Sequence, residues 1–167
     1  MAIRDIIDSR RSERSFSDKP VEKEKLDSLL HAALHAPTGR NSQPLFFVIL
    51  QDKKKMEELF SRVDVRNNFY HCDAILFVMA REDDYLNDLN CGAAIENVLL
   101  QGEELSLATC WIHSARKFLD TEQGREALKD VLELSKEYHP LDAVAIGYLK
   151  GERPVCKDRR IDGCKIL

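Results

Sequence analysis

Three arginines and a serine stand within five residues at Arg10-Arg11-Ser12-Glu13-Arg14. Guanidinium groups match phosphate oxygens with paired, charge-assisted hydrogen bonds, and a serine hydroxyl adds a neutral donor. The stretch suits a local anion site, and it suits a solvated charged turn equally well. A second basic cluster, Lys157-Asp158-Arg159 with Arg160 beside it, lies far away in the chain and could close the same anion site from the other side. Between them, Ala36-Pro37-Thr38-Gly39-Arg40-Asn41-Ser42-Gln43-Pro44 concentrates amides and hydroxyls between two prolines. Such a loop can offer fixed donors and acceptors to a polar heterocycle or sugar chain, or it can be a capped helix end turning into a strand. Trp111-Ile112-His113-Ser114 ends a predicted strand, where loops tend to carry function. There Trp111 reads as a core aromatic and His113 as a structural histidine. His71-Cys72-Asp73 cannot easily converge on one substrate, because neighbours in a strand point to opposite faces.

Several chemistries find no support. Ser12 has no Gly-x-Ser-x-Gly context, and no local signature pairs a cysteine with a histidine, which disfavours covalent hydrolysis. The five cysteines are widely spaced with no Cys-x-x-Cys pair, so zinc is disfavoured and a reduced, cytoplasmic protein is expected. Lys+Arg 25 against Asp+Glu 29 gives a net charge of -4, without the overall basic balance of a nucleic-acid-binding chain. The apolar run at Ala74–Ala80 is far short of the roughly 20 residues a membrane helix needs, and the first eight residues already carry Arg4 and Asp5. Neither nucleic acid nor membrane is an expected partner. With 167 residues, 44% of them hydrophobic, and a mean hydropathy of -0.37, one domain spanning 1–167 is expected, without disulfides or a structural metal.

The elements that must position these groups follow from periodicity. Ile3, Ile6 and Ile7 mark a short amphipathic helix that stops near the arginines. Leu26, Leu29, Leu30, Ala33 and Leu34 predict a helix over 22–36, ended by Pro37. Leu45–Leu50 reads as a strand buried on both faces, followed by a charged helix over 52–61 and a second buried strand at Ala74–Ala80. A largely apolar helix over 89–105 is the predicted centre, with Gly92, Ala93 and Ala94 offering close approach to another helix. A third strand at 108–112, a helix beginning at Asp120 and ended by Pro140, and a last strand at 141–149 complete the pattern. Alternation of strands and helices by itself favours a parallel, doubly wound sheet, yet no Gly-x-Gly-x-x-Gly or Gly-x-x-x-x-Gly-Lys loop supports its nucleotide-binding versions.

Taken together, the Arg10–Phe16 stretch, the proline-bounded loop, Leu107-Ala108-Thr109-Cys110-Trp111 and Gly147-Tyr148 with Lys157-Asp158-Arg159 resemble the nitroreductase family of flavoproteins in order and spacing, from Ile3 to about Arg160. The resemblance implies an α+β fold in three layers, α/β/α, around a mixed, mostly antiparallel sheet, with two intertwined subunits building two FMN sites at their interface. It implies that Arg10, Ser12, Lys157 and Arg159 hold the FMN phosphate, with Arg11 beside them, and that Arg14 lies near the ribityl chain and the pyrimidine edge. Pro37, Thr38, Asn41 and Gln43 would reach the cofactor from the partner subunit, and the backbone at Trp111, Ile112 and His113 would run along the flavin. NADH or NADPH would reduce FMN, and nitroaromatics, quinones or similar flat acceptors would reoxidise it by alternating half-reactions. A flavin-binding redox sensor or storage protein would use the same phosphate motif. An interaction module built on the helix over 89–105 would leave the basic groups unexplained. Where many members have a glycine after the tryptophan, this sequence has Trp111-Ile112-His113-Ser114, and the segment between Tyr85 and Asn90 leaves little room for the extra helices of larger relatives.

Overall fold

The structure, a computed structural model, describes residues 2–81, 84–159 and 161–166; Arg160 of the basic tail therefore lies outside the described residues. Helix α1 (Ile3–Ser9) leads into the arginine stretch, and α2 (Lys23–Leu34) into the proline-bounded loop. Strand β1 (Leu45–Leu50), helix α3 (Lys53–Arg62), strand β2 (Ala74–Ala80), helix α4 (Asn87–Glu104) and strand β3 (Ala108–Trp111) follow. A single-turn helix α5 (Arg116–Leu119), helix α6 (Glu122–Val131) and strand β4 (His139–Gly147) complete the order. No helix among the described residues is long and apolar enough to cross a membrane.

The four strands lie in the order β1-β2-β4-β3, and all three pairings are antiparallel. The parallel default suggested by strand–helix alternation is thus overturned, in line with the resemblance. Strand β2 is the hydrophobic centre. Its residues alternate, with Ile75, Phe77 and Met79 facing α3 and α6, and Ala74, Leu76, Val78 and Ala80 facing α2 and α4. Every residue of β2 is buried, and each of its large side chains stabilises the fold by about 1.5–3 kcal/mol. The result is three layers, with α2 and α4 on one face of the sheet and α3, α5 and α6 on the other.

Two expectations change. Leu45–Leu50 is only half-buried up to Leu50, because β1 is an edge strand that pairs on one side alone. Pro140 does not precede the last strand but sits within it, opposite Met79, where the register shifts between Val78 and Met79. A proline has no N–H to give a regular ladder, and a bulge accommodates that loss. Helix α4 packs against α2 with Ala94 buried, and its Gly92 lies under Trp111, whose Cη2 would be 3.7 Å from an added Cβ.

Candidate functional site

The arginine stretch is held against the free edge of the sheet. Glu13 N–H donates to the Thr109 carbonyl of β3 at 3.0 Å, Ser17 N–H donates to Tyr148 O at 2.8 Å, and Phe16 bridges Leu149. Within this extended segment Glu13 and Phe16 point inward and are buried, which turns Arg14 outward and leaves Arg10 and Ser12 half-buried. Among the described residues no carboxylate lies within ion-pair distance of Arg10, Arg11 or Arg14, nor of Lys157 or Arg159. The field of Arg14 and Arg10 reaches β3, where it pulls the Cys110 thiol down against a larger upward push from burial. Arg11 Nη1 donates to Asp8 O and Arg10 O, both at 2.7 Å, and so closes the C-terminus of α1.

The tail begins beside this segment. Lys150 N–H donates to Ser15 O at 3.0 Å, and Arg153 then pairs with the buried Glu13 at 2.9 Å and with the buried Glu103 of α4. Lys157 and Arg159 follow on this tail, exposed. Neither Glu13, Glu103 nor Arg153 was singled out by sequence reading. The signal for Glu13 is a carboxylate set among three arginines at an inward position of an extended segment.

At the end of β3, Trp111 is 37% exposed and rests on α4 at Gly92, so the core position expected for it does not hold. Ile112 is buried, its N–H donates to Ala143 O and its carbonyl accepts from Ala115 N–H, so its backbone groups are already engaged. His113 projects outward, with Nδ1 2.9 Å from Asp142 Oδ1. Asp142 is a lone carboxylate within the apolar run of β4, a signal that sequence reading passed over. Burial lifts its carboxyl above the usual range, while His113, the Trp111 indole and Arg116 act in the opposite direction. Arg116 pairs with Asp88 at 2.6 Å and ties this corner to the start of α4.

The proline-bounded loop leads into β1, the opposite edge strand of the sheet. Arg40, Asn41 and Gln43 all take positive φ, and the loop is tied by Gln43 N–H to Thr38 Oγ1 at 3.1 Å and by Gly39 N–H to Asn90 Oδ1 at 2.9 Å. Thr38 is half-buried, while Pro37, Asn41 and Gln43 are exposed. The edge strands β1 and β3 are separated by three strand spacings, about 14 Å. One chain therefore brings Arg10, Ser12, Arg14 and the tail as far as Arg153 to the β3 edge, while the loop leads into β1 at the opposite edge, its Gly39 held on Asn90 of α4, two residues before the Gly92 that lies under Trp111.

Cys72 and Cys91 lie in the core and burial raises both thiols, that of Cys72 to about 12. Both stay protonated and inert at neutral pH. Among the described residues no group of three or more histidine, cysteine or acidic side chains could hold a metal ion.

The pattern of the nitroreductase family matches residues 7–64 and 61–148, which take in the arginine stretch, the proline-bounded loop and all four strands and stop before the tail. The chain belongs to the nitroreductase family. It is 30% identical over 156 residues to a protein of Archaeoglobus fulgidus provisionally named an NADH dehydrogenase/NAD(P)H nitroreductase, covering 89% of this chain and 86% of that one. Among solved structures, a nitroreductase with bound FMN from Bacteroides fragilis superposes with a TM-score of 0.88 over 100% of this chain and 99% of that one, at 23% identity. An FMN-dependent nitroreductase from Clostridium difficile superposes with a TM-score of 0.77, at 27% identity, over 92% and 91% of the two chains.

Proposed function

We propose that residues 1–167 act as one FMN-binding unit of a cytoplasmic homodimer, and that the dimer transfers electrons from NADH or NADPH through FMN to flat acceptors such as nitroaromatics and quinones, in alternating half-reactions. The observation that carries this reading is the set of cations at the free edge of the sheet that have no carboxylate partner among the described residues, in a chain whose overall charge is negative. Arg10 and Arg14 with the Ser12 hydroxyl among them, faced by a tail carrying Lys157 and Arg159, form the donor set that a dianionic phosphate needs and that a neutral ligand would leave uncompensated. The residues present therefore fit FMN.

Arg10, Ser12, Lys157 and Arg159 bind the phosphate. Arg14, turned outward next to them, puts positive charge toward the pyrimidine edge and favours added negative charge there. FMN, when bound, supplies the redox chemistry, taking hydride from the nicotinamide and passing electrons to the acceptor. The exposed Trp111 and the backbone at His113 border the ring, and Asp142 fixes the orientation of the His113 imidazole at the same corner. Specificity needs buried polar groups matched to one substrate, and this border offers few, so several flat acceptors are accommodated.

The second subunit is supported by two features. Ile3, Ile7 and Leu89 are 71%, 54% and 70% exposed on α1 and α4, large apolar side chains that the described residues leave open to water. Pro37, Thr38, Asn41 and Gln43 belong to the loop that leads into β1, the edge opposite the cations, and in this reading a second copy supplies its own loop to the site. Burial above roughly 2,000 Å² is expected for such an obligate interface. The test is spectroscopic: the purified or reconstituted protein shows flavin absorption that bleaches anaerobically with NADH or NADPH and returns on adding a quinone or nitroaromatic. Absence of flavin binding, or reduced flavin that none of these acceptors reoxidises, contradicts the reading.

A further inference from the structure

Two carboxylates in this fold are buried for no reason that the cofactor motif supplies. Glu13 is 2% and Glu103 6% exposed, and they come from different elements, the edge segment and the last turn of α4. Both meet one guanidinium. Arg153 Nε donates to Glu13 Oε1 at 2.9 Å, and Arg153 Nη2 donates to Glu103 Oε2, while Ser9 Oγ at the end of α1 donates to Glu103 Oε1 at 2.6 Å. Arg153 is the first charged residue of the tail to be anchored, directly after the backbone contact of Lys150 with Ser15.

We propose that Arg153, clamped between Glu13 and Glu103, is a latch that positions the cationic tail over the anion site. Resting on the FMN reading above, the latch makes Glu13, Glu103 and Arg153 positioning residues for the phosphate contacts of Lys157 and Arg159. The argument begins with charge. A carboxylate withdrawn from water is tolerated only when paired and hydrogen-bonded, and releasing Arg153 would strand two at once, so the clamped state is strongly favoured over a detached tail. Reach comes next. Lys157 lies four positions and Arg159 six positions beyond Arg153, backbone spans of at most about 14 and 21 Å from a residue whose guanidinium touches Glu13, the neighbour of Ser12. Finally, a tether of that length holds its cations at high effective concentration over Arg10 and Ser12, whereas a tail attached only through β4 samples a much larger volume. The inward-facing Glu13 thus serves the same site as the outward-facing arginines around it, and it cancels Arg153 rather than Arg10 or Arg14.

The test combines FMN titration with a reporter that needs no flavin. A dye on the exposed Cys156, in a Cys164→Ser background where the remaining thiols are buried, reads tail mobility by anisotropy in the FMN-free protein. Arg153→Met is expected to lower that anisotropy and, without the dye, to weaken FMN binding roughly 10- to 100-fold. Lys157→Met/Arg159→Met is expected to weaken FMN binding to a similar extent in the wild type but less than about threefold on top of Arg153→Met, because an unlatched tail has little contact left to lose. If Arg153→Met alone does not fold, the variant that also carries Glu13→Gln and Glu103→Gln strands no charge and reads the same cycle. Unchanged anisotropy overturns the latch, and full multiplication of the two effects, or wild-type FMN affinity in Arg153→Met, overturns its role at the phosphate. A wild-type protein that binds no FMN overturns the cofactor reading itself, while the anisotropy still reports whether the latch exists.

Discussion

Replacing Arg10 by Ala removes one charge-assisted contact to the phosphate, which corresponds to about 1.5–3 kcal/mol and hence roughly 10- to 150-fold in FMN affinity. Riboflavin, which has no phosphate, gives the control: its affinity is expected to be the same in both proteins. An Arg10→Ala variant that loses riboflavin and FMN alike would place Arg10 elsewhere than at the phosphate. His113 yields a different expectation, because in the proposed site its backbone borders the ring while Asp142 holds its exposed imidazole at the same corner. His113→Ala should leave the FMN dissociation constant within about twofold and change the ranking of quinones against nitroaromatics in steady-state assays, since a bordering group affects discrimination more than anchoring; unchanged rankings would remove the side chain from the acceptor pocket. At this scale the cations of the candidate site were legible because their types and spacing are local. Glu13, Asp142 and Arg153 were not, because what distinguishes them is burial against residues many positions away. Arg11 adds a contact that local spacing does not show, its Nη1 closing the end of its own helix.

The elements tell where periodicity is sufficient and where it is not. Strand β2 and helix α4 were readable to within two residues because their apolar patterns are long and continuous. Strand β1 has an equally apolar sequence but lies at an edge, a consequence of strand order that no single stretch encodes. Helix α5 escaped notice because four residues carry no period. Its junction with α6 can be tested: a Cβ on Gly124 would lie 2.4 Å from the Phe118 carbonyl oxygen, a backbone atom that cannot rotate away. The helix propensity gained by Gly124→Ala is about 1 kcal/mol, and overpacking against backbone costs about 1–3 kcal/mol. A net loss is expected, seen as a lower Tm at roughly 2–4 °C per kcal/mol; an unchanged or raised Tm would mean that this turn yields freely. The entry to α2 gives a pH test. Tyr148 OH donates to Glu22 Oε2 at 2.5 Å, and this bond holds the Glu22 carboxyl at about 2, with Lys19 adding to the effect. A carboxyl depressed on folding contributes stability that is present above its unfolded value near 4.5 and lost as pH falls toward about 2. Glu22→Gln should therefore differ most from wild type in urea midpoint above pH 4.5, and the two should converge as pH falls to about 2. Parallel curves would contradict the Tyr148 contact.

For the whole molecule, strand order decides how the two parts of the proposed site are placed. Arg10, Ser12 and Arg14 lie along the β3 edge, the proline-bounded loop leads into β1 at the opposite edge, and Ile3, Ile7 and Leu89 are exposed. The sequence pattern alone could name both parts, through the family resemblance, but their placement at opposite edges follows only from the strand order. If a second copy completes the proposed site, cofactor binding and association become one event, since each stabilises the other by mass action. Sedimentation velocity at micromolar protein, followed at once by protein and by flavin absorbance, tests this most directly. The account predicts that flavin absorbance sediments only with the species of twice the chain mass, at one FMN per chain; flavin travelling with a folded species of single-chain mass would contradict it.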